Sequence, residues 1–589
     1  MKRLLALAAL ALFATTAPGA AAAGPAAPLD HAGRWTTDSQ GHVVVLHGLN
    51  MVSKLPPYAP DSTGFGDDDA AFLAAEGFNT VRVGVIYKAV EPQPGVYDDA
   101  YLQRIENTVE ILGRHGIYSL VDFHQDLYNE RFQGEGWPDW AVQDDGLPAQ
   151  PQAGFPANYL VMPALQRAFD HFWANDTGPG GVGLQDRYAA AWRHVAERFR
   201  DNPHVLGYDL LNEPWPGTAW QQCANPAGCP AFDALMSQFV TRMMTAIRQV
   251  DPDTLVYYEP NVLFNNGADT NLADTGDAHA ALSFHDYCLT AAEGNGGYGN
   301  CGQFDDLVFA NANKRAAATG DTLLLTEFGA TDARDVLLGV LERADRAMVG
   351  WQEWLYCGCS DPTTSGPGDK QAIVRDPNKA PAGDNLVKGT LDTIVRPYPQ
   401  VVAGTPESWA FDPDKRVFDF AWSTKRADGS GSFPAGAETE VAVPSRQYGS
   451  GYAVAVQGGT VTSGAGAELL RVASCSGVER VTVNVRPGSG ITASCAAPSS
   501  GAAAGKTRLS VKVAPRRVRP GRRVTVRATV TAKGKTVRGA VVRIGRKRAR
   551  TDARGRARVK IHFTHSALRK VVAKATGYQP GRARLRVRR

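Results

Sequence analysis

At 589 residues the chain is too long for one compact core and should divide into two to four domains. Its 43% hydrophobic and 21% charged residues are ordinary for globular protein, and no run beyond the N-terminus is long and apolar enough to span a membrane. The net charge of +4 hides two opposed parts. Residues 506–589 carry 29 Lys and Arg against one acid, Asp552, a charge of +28, whereas the 34 basic and 58 acidic residues before them leave −24.

In chain order, Lys2 and Arg3 precede an apolar run from Leu4 to Phe13 and then small residues through Ala23. This is the pattern of a secretory signal peptide over residues 1–23, which predicts export. Between residues 43 and 356, β-branched or apolar runs alternate with longer amphipathic stretches such as Tyr101–His115 and Tyr188–Phe199. The runs are 43–50, 80–85, 118–123, 205–213, 254–260, 281–287, 322–329 and 350–356. Eight near-continuous apolar strands, each followed by a helix, predict a parallel sheet closed into a (β/α)₈ (TIM) barrel over residues 30–396. The absence of G-x-G-x-x-G after the first run argues against an open dinucleotide-binding sheet.

Past Pro397 the texture changes to short strand-like runs at 417–422, 439–443, 452–456, 469–472 and 481–485, separated by Gly, Ser and Pro. These predict an antiparallel β-sandwich over residues 397–497. PSSGAAAG at 498–505 reads as a flexible linker. The basic segment 506–589 also alternates like strands, which predicts a second small, immunoglobulin-like β-domain. The eight cysteines of an exported chain imply disulfides, grouped locally as Cys223–Cys229, Cys288–Cys301 and Cys475–Cys495. Cys357 and Cys359 either bridge each other or serve other partners.

Catalytic groups of such a barrel stand at the C-terminal ends of its strands. Those ends carry Arg82, His124 and Asp126, Asn212 and Glu213, His285 and Tyr287, Glu327, and Trp354. Two carboxylates from the fourth and seventh strands suit glycoside cleavage with retention, Glu213 as acid/base and Glu327 as nucleophile. Arg82 and Tyr287 are expected to hold Glu327, and Asn212 to bond the sugar 2-hydroxyl. His285 and the repulsion between the two carboxylates are expected to keep Glu213 protonated. No H-E-x-x-H or comparable metal spacing occurs, so no metal or other cofactor is implied.

Around these residues the sequence resembles glycoside hydrolase family 5, with LNEP at Leu211–Pro214 and TEFG at Thr326–Gly329 as its acid/base and nucleophile motifs. HGLNMVSKLPPY at His47–Tyr58, DFHQDLYNE at Asp122–Glu130, GWPDWAV at Gly136–Val142 and PYPQVVAGTPESWAF at Pro397–Phe411 resemble its endoglycoceramidase-type branch. That resemblance covers roughly residues 35–495. It implies cleavage of the β-bond between glycan and ceramide, with Lys54 and Asp126 contacting the sugar next to the lipid. The basic C-terminal domain and the Cys357–Cys359 pair fall outside the family's pattern.

A ceramide substrate would need an apolar wall, for which Trp137, Trp140, Phe155, Tyr159, Val161 and Met162 are the candidates. An endo-β-glucanase, mannanase or β-glucosidase of the same mechanism is the alternative reading, and a silent glycolipid-binding protein a third. The partners expected are a glycolipid or β-linked oligosaccharide and, through the basic domain, an anionic membrane or cell-envelope surface. No motif for specific nucleic-acid recognition is present, and a monomer is expected.

Overall fold

The computed structural model describes residues 24–288, 298, 301–363, 368–496, 509–532, 534–545, 547–575, 578 and 580–588, without the side chains of residues 368 and 369. The expected leader and the 498–505 linker lie outside the described residues. The chain forms two units, Met1–Ala497 and Pro498–Arg589.

The first unit contains a closed barrel of eight parallel strands. They are His47–Met51 (β1), Thr80–Ile86 (β2), Tyr118–His124 (β3), Val205–Asp209 (β4), Leu255–Tyr258 (β5), Ala280–Asp286 (β6), Thr322–Phe328 (β7) and Gly350–Glu353 (β8). Almost every strand residue is buried, because side chains point alternately into the barrel and under a cover of helices. The helices Asp99–Arg114, Leu184–Phe199, Pro230–Arg248 and Arg334–Ala347 lay apolar stripes on that outer wall. Gly48 in β1 is fixed by close approach, since a Cβ there would lie 1.8 Å from the Thr80 carbonyl oxygen of β2.

At the N-terminal end of the strands, Leu46, Tyr118, Leu120, Leu206, Leu255, Tyr257 and Leu324 form a packed plug capped by Leu29 and Val44. The barrel is therefore solid below, and the polar groups gather at the other end.

The run expected as a single first strand, 43–50, is two strands. Val43–Val44 leaves the barrel and pairs with Tyr398–Val402, and only His47–Met51 is the barrel strand. Leu29–Ala32, Trp35–Asp38 and Val43–Val44 thus extend the C-terminal sheet to twelve strands that share one core of Val43, Tyr398, Trp409, Phe420, Val441 and Val485. A run of apolar residues cannot reveal where a chain changes sheets. The sheet is not wholly antiparallel, because Tyr452–Gln457 runs parallel to Ile491–Ser494. The barrel and this sheet are joined by stacking of Tyr398 on His47 at 3.8 Å and of His47 on Trp351 at 4.2 Å.

The second unit has a four-stranded and a five-stranded sheet around one core that includes Val526, Val530, Val542, Val571 and Leu585. All eight cysteines are paired: Cys223–Cys229, Cys288–Cys301, Cys475–Cys495 and, closing the open question, Cys357–Cys359. Among the described residues no helix is long and apolar enough to cross a membrane.

Candidate active site

The strand ends converge on one carboxylate-rich cluster. Arg82, expected at the C-terminal end of β2, instead lies inside that strand, two residues after Thr80 and fully buried, and is the hub of the cluster. Its Nε donates to Asp209 at 2.9 Å, one Nη to Glu327 at 2.6 Å and the other to Glu259 at 3.0 Å and Asn212 at 3.1 Å, with Asp122 at 2.9 Å. Burial disfavours its charge, but Asp122, Asp209, Glu327 and Glu259 outweigh that and raise its pKa still further. The guanidinium is a permanent cation beneath the site.

Glu327 lies in β7 where the register with β6 slips between Leu325 and Glu327. Such an irregularity re-aims a side chain, and here the carboxylate meets Arg82 on one oxygen and the Tyr287 hydroxyl, at 2.8 Å, on the other. Glu213 stands beyond the end of β4 with a positive φ of 44°, a conformation costly for a glutamate and typical of functional sites. It is held there by hydrogen bonds from its own N–H to Glu259 at 3.1 Å and from the Gln125 amide to its carbonyl at 3.2 Å. Its Oε1 is 2.7 Å from the Asn265 amide nitrogen and 2.9 Å from His285 Nδ1. Glu213, His285 and Glu327 each offer an atom within 4.8 Å of the others.

Burial raises the Glu213 pKa above the ordinary carboxyl range, His285 lowers it, and Glu327 and Asp126 add to the rise. This corrects one expectation. Burial disfavours a charge on His285 too, but Glu259, Glu327 and Glu213 raise its pKa well above the usual value. An imidazolium favours the carboxylate, so His285 opposes the protonated form of Glu213 and burial supplies it.

A second cluster adjoins the first. Lys54, after β1, is buried with its ammonium 2.5 Å from Asp126, 2.9 Å from Thr363 Oγ1 and 3.3 Å from Asp361, and 4.5 Å from the centre of the Trp354 ring. Trp354 stacks on His124, whose Nδ1 lies 2.8 Å from Asp122. His124, Asp126 and Glu135 have ligand atoms close enough for an ion, but the Lys54 ammonium already supplies a cation to Asp126.

Both clusters open into a cavity of about 220 Å³. Its floor includes Lys54, His124, Asp126, Asn212, Glu213, Tyr287, Glu327 and Trp354, and its lining also takes in Phe155, Pro156, Tyr159, Leu160, Trp215, Val262 and Leu263 together with Asn265, Asn266, Ala330, Thr363 and Gln371. Arg82 and His285 lie beneath the floor, so all ten expected residues come together. Of the six expected wall residues only Phe155 and Tyr159 line the cavity. Trp137 and Met162 are core residues at 1% and 0% exposure, Trp140 packs against the core, and Val161 faces solvent.

The match to known proteins is consistent with this geometry. The profile described as "Cellulase (glycosyl hydrolase family 5)" matches residues 37–357, more than half the chain. The chain belongs to glycoside hydrolase family 5. The profile of the family 5 C-terminal domain matches residues 396–485. This glycoside hydrolase is 34% identical to Endoglycoceramidase I of Rhodococcus hoagii (strain 103S) over 79% of its own length and 89% of that protein's. It is 28% identical to an Endoglycoceramidase of Cyanea nozakii, over 65% and 79% of the two lengths. Among solved structures, Endo-glycoceramidase II from Rhodococcus sp. in its Ganglioside GM3 complex has 30% identity and a TM-score of 0.62, covering 77% of this chain and 99% of that one.

Several residues of these clusters were not anticipated from sequence. Glu259 follows β5 in Tyr258–Glu259–Pro260, the same acid-before-proline signature as Asn212–Glu213–Pro214, and that signal was readable. Asp122 and Asp209 sit inside strands, where alternation could have aimed them inward. Gln125, Asp361 and Thr363 lie on loops and Asn265 on the short 3-10 helix Val262–Asn266, and none carries a periodic signal.

Proposed function

We propose that this glycoside hydrolase cleaves the β-bond between the glycan and the ceramide of glycosphingolipids, with retention of anomeric configuration. The observation that carries the proposal is the pairing of Glu213 and Glu327, with oxygens within 4.8 Å, in a cavity that is also lined by the apolar side chains of Phe155, Leu160, Trp215, Val262 and Leu263. Retaining glycosidases hold their carboxyl groups about 5–5.5 Å apart, and a wider gap would leave room for the water of an inverting enzyme.

In the first step Glu327 attacks the anomeric carbon while the Glu213 carboxylic acid gives its proton to the glycosidic oxygen. The C–O bond to the lipid breaks, ceramide leaves as a neutral alcohol, and the sugar stays on Glu327 as an ester. In the second step Glu213, now a carboxylate, takes a proton from water, and the resulting hydroxide equivalent displaces Glu327 from the anomeric carbon. Arg82 and Tyr287 return to hold the freed carboxylate. Each step needs Glu213 in the opposite protonation state; its burial favours the acid and His285 favours the carboxylate. Lys54 and Asp126, fixed to each other and beside Trp354, face the same floor and hold the sugar adjoining the lipid. The similarity to endoglycoceramidases over most of the chain supports the substrate class. The reaction needs only these side chains and water.

The protein is further proposed to be an exported monomer that its basic C-terminal unit retains at an anionic surface. The leader-like residues 1–23 and four disulfides fit an oxidising destination.

The test is mass spectrometry of products after incubation with ganglioside GM3 in detergent. Free ceramide together with the intact oligosaccharide is expected. Shortened glycolipids, or hydrolysis of cello- or manno-oligosaccharides with GM3 untouched, would move the substrate to a polysaccharide.

A further inference from the structure

The C-terminal unit carries its charge in an order that its strand register makes visible. On the outer face of the four-stranded sheet stand Lys512, Arg523, Arg527, Arg556, Arg558 and Lys560, alternating with the buried core positions. Arg527 lies directly opposite Arg558. On the outer face of the five-stranded sheet, Arg517 lies opposite Arg586, Lys570 opposite Arg584 and Arg543 opposite Arg548. Like charges set directly across strands destabilise a sheet. Among the described residues of this unit the single acid is Asp552, 3.6 Å from Arg556. Among the described residues of the unit, the four directly opposed pairs therefore have no carboxylate beside them, and an anion bound to the unit would relieve all of them.

Three observations narrow the anion. Both faces of the sandwich are cationic, whereas a planar bilayer can meet only one. Leu568, 53% exposed, is the one large apolar side chain exposed among the described residues of the unit, so membrane anchoring and base stacking both lack their usual aromatic groups. Arg makes up most of the cations, and its planar fork matches the paired oxygens of phosphate.

We propose that this unit docks a flexible, linear phosphate polymer of the cell envelope that contacts both sheet faces and tethers the enzyme. The proposal deepens the surface-retention reading by naming the partner's chemistry. It does not depend on the substrate.

The probe is long-chain inorganic polyphosphate, titrated into the full chain at several salt concentrations. Two variants carry Arg523→Gln, Arg527→Gln, Arg558→Gln and Lys560→Gln on one face, or Arg543→Gln, Arg548→Gln, Lys570→Gln and Arg584→Gln on the other. The logarithm of affinity should fall with the logarithm of salt at about −0.7 per phosphate contacted, so six contacts lose roughly 300-fold between 50 and 200 mM. Each variant should bind at least tenfold more weakly and show a slope reduced by about three. Both should unfold at or above the parent's temperature, because opposed cations have been removed, and both should hydrolyse GM3 in detergent as the parent does. That last readout separates failure of docking from failure of the glycosidase reading. No binding of polyphosphate at 50 mM salt, a loss confined to one face, or tighter binding to vesicles of 30% phosphatidylglycerol or to duplex DNA would each overturn the proposal.

Discussion

Glu213 and Glu327 are chemically identical side chains with different neighbours. Glu327 is held by a guanidinium and a phenol hydroxyl, the partners of a carboxylate, whereas Glu213 is buried with its pKa raised. Glu213→Gln should slow ceramide release by about 10²–10⁴-fold, the usual contribution of a general acid. It should spare the first step on dinitrophenyl glycosides, whose leaving group needs no proton. Glu327→Gln should abolish turnover of both, and only the parent and the Glu213 variant should show a covalent glycosyl-enzyme by mass spectrometry. Equal failure of both variants on the activated substrate would refute the division of roles. His285 gives a second test with a definite sign. Its positive charge favours ionised Glu213, so His285→Asn should raise the Glu213 pKa. The acid form then persists to higher pH, and the basic limb of the kcat/KM profile should move upward. A basic limb that stays in place or moves down would show that His285 does not carry the charge. At this scale the sequence was most informative, because side-chain type and strand-end position fall together in motifs such as LNEP and TEFG. It misled where an effect depended on protonation, since a histidine beside a carboxylate has opposite consequences when neutral and when charged.

At the scale of elements, the loops after the strands build the cluster around Lys54. β8 ends at Glu353, and the chain reverses through the Cys357–Cys359 bridge before Asp361 and Thr363 reach Lys54 and Asp126. Thr363 Oγ1 is 3.0 Å from Asp126, so one short loop fixes both partners of the Lys54–Asp126 pair. Replacing both cysteines by serine should loosen that loop and raise KM for GM3 by about tenfold, equivalent to about 1.4 kcal/mol of binding. Turnover at saturation should change little, because Glu213 and Glu327 hang from β4 and β7. Michaelis kinetics separate the two, and a fall in kcat with KM unchanged would place the bridge in the catalytic step instead. The regular strands and helices were legible because their periods of 2 and 3.6 are written in apolar spacing. The loops were not. Phe155 and Tyr159 line the cavity while Trp137, from an equally aromatic stretch, is a core residue, and only the path of the chain separates them.

For the whole molecule, the division into a barrel, a β-rich region and a basic unit followed from changes of composition, but the way the first two interlock did not. The N-terminal strands 29–44 belong to the C-terminal sheet by pairing between residues some 350 positions apart, and local pattern carries no record of such a partner. The interlock also has a polar element. Asp345, on the helix before β8, pairs with Arg396 at the entry to the sheet and accepts from Trp409 Nε1 at 3.0 Å. Arg396 and Asp345 are both nearly inaccessible, so removing the acid leaves a buried guanidinium without its charge partner. A pair broken on one side in this way costs about 3–5 kcal/mol, several times the worth of a single surface ion pair. Asp345→Ala should therefore lower the melting temperature by several degrees. Because strands 29–44 of the sheet precede the first barrel strand in the chain and this pair also joins the two, the loss should appear in one transition rather than in two. Calorimetry decides it: a barrel transition left at the parent's temperature beside a separate, earlier one for the sheet would mean that the two halves fold independently despite their interlock.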